Sequence, residues 1–147
     1  MQATVLFDGG ASATLDTELT LTLPSAVRSG GRNGHVLLQI GVRCEAAEAC
    51  QHGALLTLTL DGAEGSLSLK TAGTIGIANF ALLPEEVAAA VLPIRIMTDY
   101  RSVEVFGAWG RAVCTAVLVS PHAFLTAEVT QGVVAVQATG WALKAAV

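Results

Sequence analysis

IRIMTDYRSVEVFGAWGR, residues 94–111, decides how this chain folds. Two apolar runs, 94–98 and 103–106, flank Asp99-Tyr100-Arg101-Ser102. Asp and Ser suit a tight turn because their side chains hydrogen-bond the local backbone. Each run has the β-branched and aromatic content of a strand. With Tyr100 and Arg101 as the loop, Thr98 pairs with Val103, Met97 with Glu104, Ile96 with Val105 and Arg95 with Phe106. Paired residues share a face and successive pairs alternate. Ile96, Thr98, Val103 and Val105 then face a core. Arg95, Met97, Asp99, Ser102, Glu104 and Phe106 face water, with Arg95 diagonal to Glu104 and within reach of an ion pair. The stretch predicts a half-wet antiparallel hairpin.

Outward from the hairpin the chain reads as strand after strand. Residues 5–7 and 15–23 come first; from Glu18 the second run alternates, with Leu19, Leu21 and Leu23 inward and Thr20 and Thr22 outward. That pattern is a sheet with one wet face. Residues 24–34 hold glycine-rich turn chemistry and exposed Arg28 and Arg32. Residues 36–42 form a more buried strand, and 44–53 an Ala/Glu-rich connector. Residues 55–60 (LLTLTL) and 67–69 make a hairpin over Asp61-Gly62-Ala63-Glu64-Gly65. Residues 71–80 are ambiguous because Gly73 and Gly76 interrupt the pattern. Residues 84–90 give the one helical signal, with Pro84 in the first turn and Glu85 and Glu86 at the favourable end. Residues 112–119, 124–129 and 133–143 close the chain. Ten to twelve short strands with almost no helix predict an all-β, antiparallel β-sandwich of jelly-roll, concanavalin-like or lectin-like type, in a single domain.

The central stretch resembles a hairpin of glycoside hydrolase family 32, the invertases, inulinases and levanases. There an apolar strand, an Asp, a basic residue and Ser precede Val-Glu-x-Phe and a turn ending Gly-Arg. Asp99, Arg101, Ser102, Val103, Glu104, Phe106, Gly110 and Arg111 match. Tyr100 is an extra or shifted residue against that spacing. Residues 132–143 are similar to the family's last strand, where an aromatic precedes a final Leu or Met. The resemblance implies the family's C-terminal β-sandwich, and a related stand-alone module that binds fructans. It also implies core or domain-interface packing for Trp141.

Composition narrows the function. Of 147 residues, 52% are hydrophobic and 14% charged, which excludes a disordered chain. A net charge of −4 and two lysines, Lys70 and Lys144, argue against nucleic acid. No apolar run reaches the ~18 residues of a membrane span. The first residues lack the basic start and apolar stretch of a secretory signal. Localisation therefore stays open between a protein kept inside the cell and a processed piece of something longer and secreted.

Cys44 and Cys50 are spaced for a disulfide in an oxidising compartment and for two free thiols otherwise. Cys114 lies in an apolar run and reads as a small buried hydrophobe. Cys44, Cys50 and His52 lack an evident fourth ligand, so no metal and no cofactor are expected.

Catalysis finds little support. In family 32 the nucleophile lies in Asn-Asp-Pro-Asn, a stabilising Asp in Arg-Asp-Pro and the acid/base in Glu-Cys, and none of these occurs here. No Gly-x-Ser-x-Gly elbow exposes a nucleophile for His35, His52 or His122 to activate. Sugar binding on a β-sandwich needs an aromatic platform with carboxylates and arginines nearby. Arg95, Asp99, Tyr100, Arg101, Glu104, Trp109 and Arg111 supply these on and around the hairpin's wet face. An Arg95–Glu104 pair and a Trp109 that merely caps a loop are the plainer alternative. Expected partners are a fructoside or fructan, and a catalytic propeller domain or a second copy of the chain. The functions open at this stage are a non-catalytic carbohydrate-binding module, an accessory domain of a fructan- or sucrose-cleaving hydrolase, and a structural subunit.

Overall fold

The computed structural model describes residues 4–9, 14–23, 35–42, 53–71, 75–99, 101–117, 124–131 and 135–142. Tyr100, Cys44, Cys50, His52, His122, the 24–34 loop and most of the 44–53 connector lie outside these.

Eleven strands occur among the described residues. They are β1 (Thr4–Asp8), β2 (Leu15–Thr22), β3 (His35–Val42), β4 (Ala54–Asp61), β5 (Glu64–Lys70), β6 (Ile75–Ala81), β7 (Val91–Thr98), β8 (Ser102–Gly107), β9 (Ala112–Val117), β10 (Phe124–Gln131) and β11 (Ala135–Ala142). A short helix, α1 (Pro84–Ala89), sits between β6 and β7. The strands form a six-stranded sheet, β1-β10-β3-β4-β5-β6, and a five-stranded sheet, β11-β2-β7-β8-β9. Every pairing is antiparallel. This is the β-sandwich that the alternating pattern predicts.

The Leu/Thr alternation explains the layering. On β2, Leu15, Leu19 and Leu21 are buried while Glu18, Thr20 and Thr22 are exposed. On β4 and β5, Leu56, Leu58, Leu60, Leu67 and Leu69 are fully buried and meet Ile94, Ile96, Val103 and Val105 in one cluster. Removing a leucine side chain from water is worth roughly 1.5–3 kcal/mol, so one register slip would reverse the gain of a whole strand. Gly107 lets the two layers touch: a Cβ there would stand 2.4 Å from Leu67 Cδ1.

The hairpin has the expected register, with Arg95 opposite Phe106, Met97 opposite Glu104 and Thr98 opposite Val103. The ambiguous 71–80 stretch contains an edge strand. Gly76 there faces β9, and an added Cβ would lie 3.5 Å from the Thr115 carbonyl oxygen, an ordinary contact distance.

Candidate functional site

The outer face of the five-stranded sheet carries the polar and aromatic residues that the core rejects. Pairing sets them in rows. One row runs Trp141, Asp16, Met97, Glu104, Thr115, and the next runs Thr139, Glu18, Arg95, Phe106, Val113.

Arg95 is not paired with Glu104. Its Nε and Nη2 donate to Asp16 Oδ1 and Oδ2 at 2.9 and 2.5 Å, a two-pronged contact across 79 residues of sequence. The β2–β7 register puts Glu18 opposite Arg95 and Asp16 two residues along. Arginine's planar fork matches a carboxylate edge, which single-point attraction to Glu104 would not use. The Asp16 hydrogen bond and charge raise the Arg95 pKa further, with a smaller contribution from Glu18. Glu104 is exposed and has no hydrogen-bond or ion-pair partner among the described residues.

Beyond β8 the chain makes a left-handed turn. Ala108, Trp109 and Gly110 have φ of 51°, 59° and 85°. Glycine accepts this region freely, while an L-residue there costs roughly 1–2 kcal/mol. Ala108 is fully buried beneath the turn and Trp109 stands 73% exposed above it. Next to Trp109 lies a groove of about 490 Å³ whose walls include Glu18, Thr20, Pro93, Arg95 and Phe106. A second hollow of about 280 Å³, at the turn end of the hairpin, is walled by Thr14, Met97, Thr98, Asp99, Ser102 and Glu104.

The residues singled out from sequence thus divide. Arg95 and Trp109 share the larger groove, Asp99 and Glu104 the smaller hollow, and Arg101 is exposed at the hairpin turn. Arg111 belongs to neither. Its Nη2 donates to the Ala81 carbonyl oxygen at 2.8 Å and to Glu86 Oε1. Glu86 is 4% exposed and the same Oε1 accepts the Leu83 N–H at 2.7 Å, capping α1. Arg111 is thereby committed to holding α1 on the sandwich. Trp141 is 46% exposed on the wet face, outside the core. Asp16, Glu18 and Thr20 are not singled out by the sequence as site residues; the β2 alternation turns them outward, but only the β2–β7 pairing brings them to Arg95. Cys114 is buried, and desolvation raises its thiol pKa against a smaller opposing backbone hydrogen bond.

No family profile matches the sequence, and no curated protein matches it. Solved structures do match the fold. The exo-inulinase of Aspergillus awamori aligns over 98% of this chain and 26% of its own, with a TM-score of 0.64 and 18% identity. Fructan 1-exohydrolase IIa of Cichorium intybus aligns over 97% of this chain and 33% of its own, with a TM-score of 0.65 and 12% identity. The carbohydrate-binding module CBM66 of Bacillus subtilis aligns over 94% of this chain and 91% of its own, with a TM-score of 0.50 and 10% identity. The chain spans about a quarter to a third of the two enzymes it matches. At these identities the likeness is one of fold: a lectin-like β-sandwich that resembles both the C-terminal domain of glycoside hydrolase family 32 enzymes and a carbohydrate-binding module.

Proposed function

We propose that this chain is a non-catalytic carbohydrate-binding module for fructose-containing glycans, with its site in the Trp109 groove. The observation that carries the reading is Trp109: a large aromatic ring, 73% exposed on a left-handed turn, beside a groove walled by Arg95, Glu18 and Phe106. A sugar presents an apolar ring face and a rim of hydroxyls. Trp109 supplies a surface for the first. Arg95 supplies donors and Glu18 acceptors for the second. The likeness to a carbohydrate-binding module and to fructan-acting enzymes supports fructose-containing ligands.

Isothermal titration with levan, inulin, sucrose and fructose tests this. We expect binding to at least one fructan, and about ten- to a hundredfold weaker binding after Arg95→Ala, which removes a charged hydrogen-bond partner. Arg95 is 48% exposed but its partner Asp16 only 14%, so a thermal melt of Arg95→Ala run beside the titration separates lost stability from lost binding. No heat of binding with any of the four would refute the reading.

One observation favours the accessory-domain alternative. Ile75 and Ile77 on edge strand β6 are 62% and 67% exposed on the outer face of the six-stranded sheet, away from the Trp109 groove. Exposed apolar side chains of this kind suit a neighbouring domain. A domain docked there would leave the groove of the five-stranded sheet open, so the two roles are compatible.

A further inference from the structure

We propose that the ligand is an extended, uncharged glycan lying diagonally across the five-stranded sheet, stacked on Trp109 at one end and on Trp141 several units away. The inference rests on the carbohydrate-binding reading above and adds ligand length and charge to it.

These are the chain's only two tryptophans, and neither is used in the core. They are 73% and 46% exposed. Both belong to the wet face. Trp141 pairs with Asp16, and the Trp109 groove is walled by Glu18, Thr20 and Arg95 of the same face. Along the strands, the row of Asp16 and Met97 lies four residues from that of Thr20 and Pro93. Across them, three to four strand spacings separate β11 from the Trp109 turn, which joins β8 to β9. With ~3.3 Å per residue and ~4.8 Å per strand, the two tryptophan positions stand roughly 20–23 Å apart. One monosaccharide cannot touch both, so a ligand that uses both is a chain.

The ground between the platforms suits a hydroxylated chain. Asp16 holds the Arg95 guanidinium through two N–H groups. Three of its five donors remain, on a group whose orientation is already fixed. Exposed Glu18, Thr20 and Thr139 stand beside it and add acceptors and hydroxyls. A protein partner covering the same ground would have to desolvate these charges, whereas a glycan can replace their water hydrogen bond for hydrogen bond. The charge balance sets the second attribute. Asp16, Glu18, Asp99 and Glu104 outnumber Arg95 and Arg101 on this face and its hairpin turn, which disfavours sulfated or uronic-acid chains.

The test uses a fructan ladder of sucrose, kestose, nystose and inulin on the full chain. In Trp109→Phe only Trp141 emits, so indole fluorescence reports contact at Trp141 directly. We expect that emission to respond to nystose and inulin and to stay constant with sucrose. Trp141→Ala should weaken inulin about tenfold and leave sucrose unchanged, while Trp141→Phe keeps a ring and should retain most of the affinity. If wild type binds inulin but Trp141 emission is silent and Trp141→Ala binds normally, this inference is overturned and the Trp109 site survives. A Trp141 emission that follows protein concentration without sugar also overturns it, in favour of self-association. If no rung of the ladder binds wild type, the parent reading falls with it.

Discussion

Replacing Trp109 by glycine should leave the fold nearly as stable and abolish sugar binding. An L-residue at φ 59° costs roughly 1–2 kcal/mol, and glycine removes that strain. Two losses oppose the gain. Glycine makes the unfolded chain more flexible, worth about 0.5–1 kcal/mol. With 73% of Trp109 exposed, about a quarter of its ~250 Å² is buried, worth about 1.5 kcal/mol at ~25 cal/mol/Å² and less against a compact unfolded state. The net change is within about 1 kcal/mol of zero, or roughly 3 °C in Tm for a chain of this size. Trp109→Ala makes the comparison internal, since it deletes the ring yet keeps the strain. It should be less stable than Trp109→Gly by about 1 kcal/mol. Thermal melts of the three proteins, with titration of inulin into each, read both effects. A loss of 3–5 kcal/mol in both variants is what a core tryptophan costs and would mean Trp109 is packing. Alanine equal to or better than glycine would refute the left-handed turn.

Two further substitutions probe what holds the site in place. Arg111→Met strips the counter-ion from buried Glu86; breaking a fully buried pair costs about 3–5 kcal/mol, and partial exposure of Arg111 at 32% lowers this to about 2–3, so Tm should fall by roughly 5–10 °C, with any loss of inulin affinity smaller than that of Arg95→Ala. A large loss of affinity with Tm unchanged would return Arg111 to the ligand. Gly107→Ala drives a methyl to 2.4 Å from a leucine that is itself fully buried, so denaturant unfolding should show about 1–3 kcal/mol of destabilisation; wild-type stability would mean the layers are looser than described.

What was legible in the sequence was local. The hairpin register follows from alternation on either side of a four-residue turn, and those pairs appear in the structure. The β-sandwich follows from repeated Leu/Thr alternation, which allows one face in and one face out. Contacts between distant strands were not legible. Arg95 finds Asp16 only because β2 lies beside β7, a pairing that no local pattern encodes. Arg111 matched a family motif and so drew attention as a ligand, while Glu86 looked like an ordinary acidic residue at a helix start. The structure joins them across 25 residues. Trp141 reads as core or domain-interface packing by its position in a last strand, and its parity with Asp16 takes it out of the core of this sandwich.

The strained turn and its anchors account for one another. A left-handed non-glycine residue persists only where its surroundings over-determine it. Here both ends of the turn are fixed before Trp109 has any choice. On one side Gly107 is pressed against Leu67 and Ala108 is fully buried. On the other, Arg111 is tied to Glu86 and the Ala81 carbonyl, and its N–H donates to the Ala108 carbonyl oxygen at 3.2 Å. Between Gly107 and Arg111 the chain closes through three positive φ values, at Ala108, Trp109 and Gly110, and only Gly110 takes its place without strain. The indole is thus held out from the sheet by contacts made elsewhere. The backbone that carries the ring is already ordered, so a ligand that stacks on it has no loop to order first. The same logic applies to Arg95, whose orientation Asp16 sets before any sugar arrives. In the proposed site the Trp109 backbone and the Arg95 guanidinium are each held by partners that need not touch the ligand.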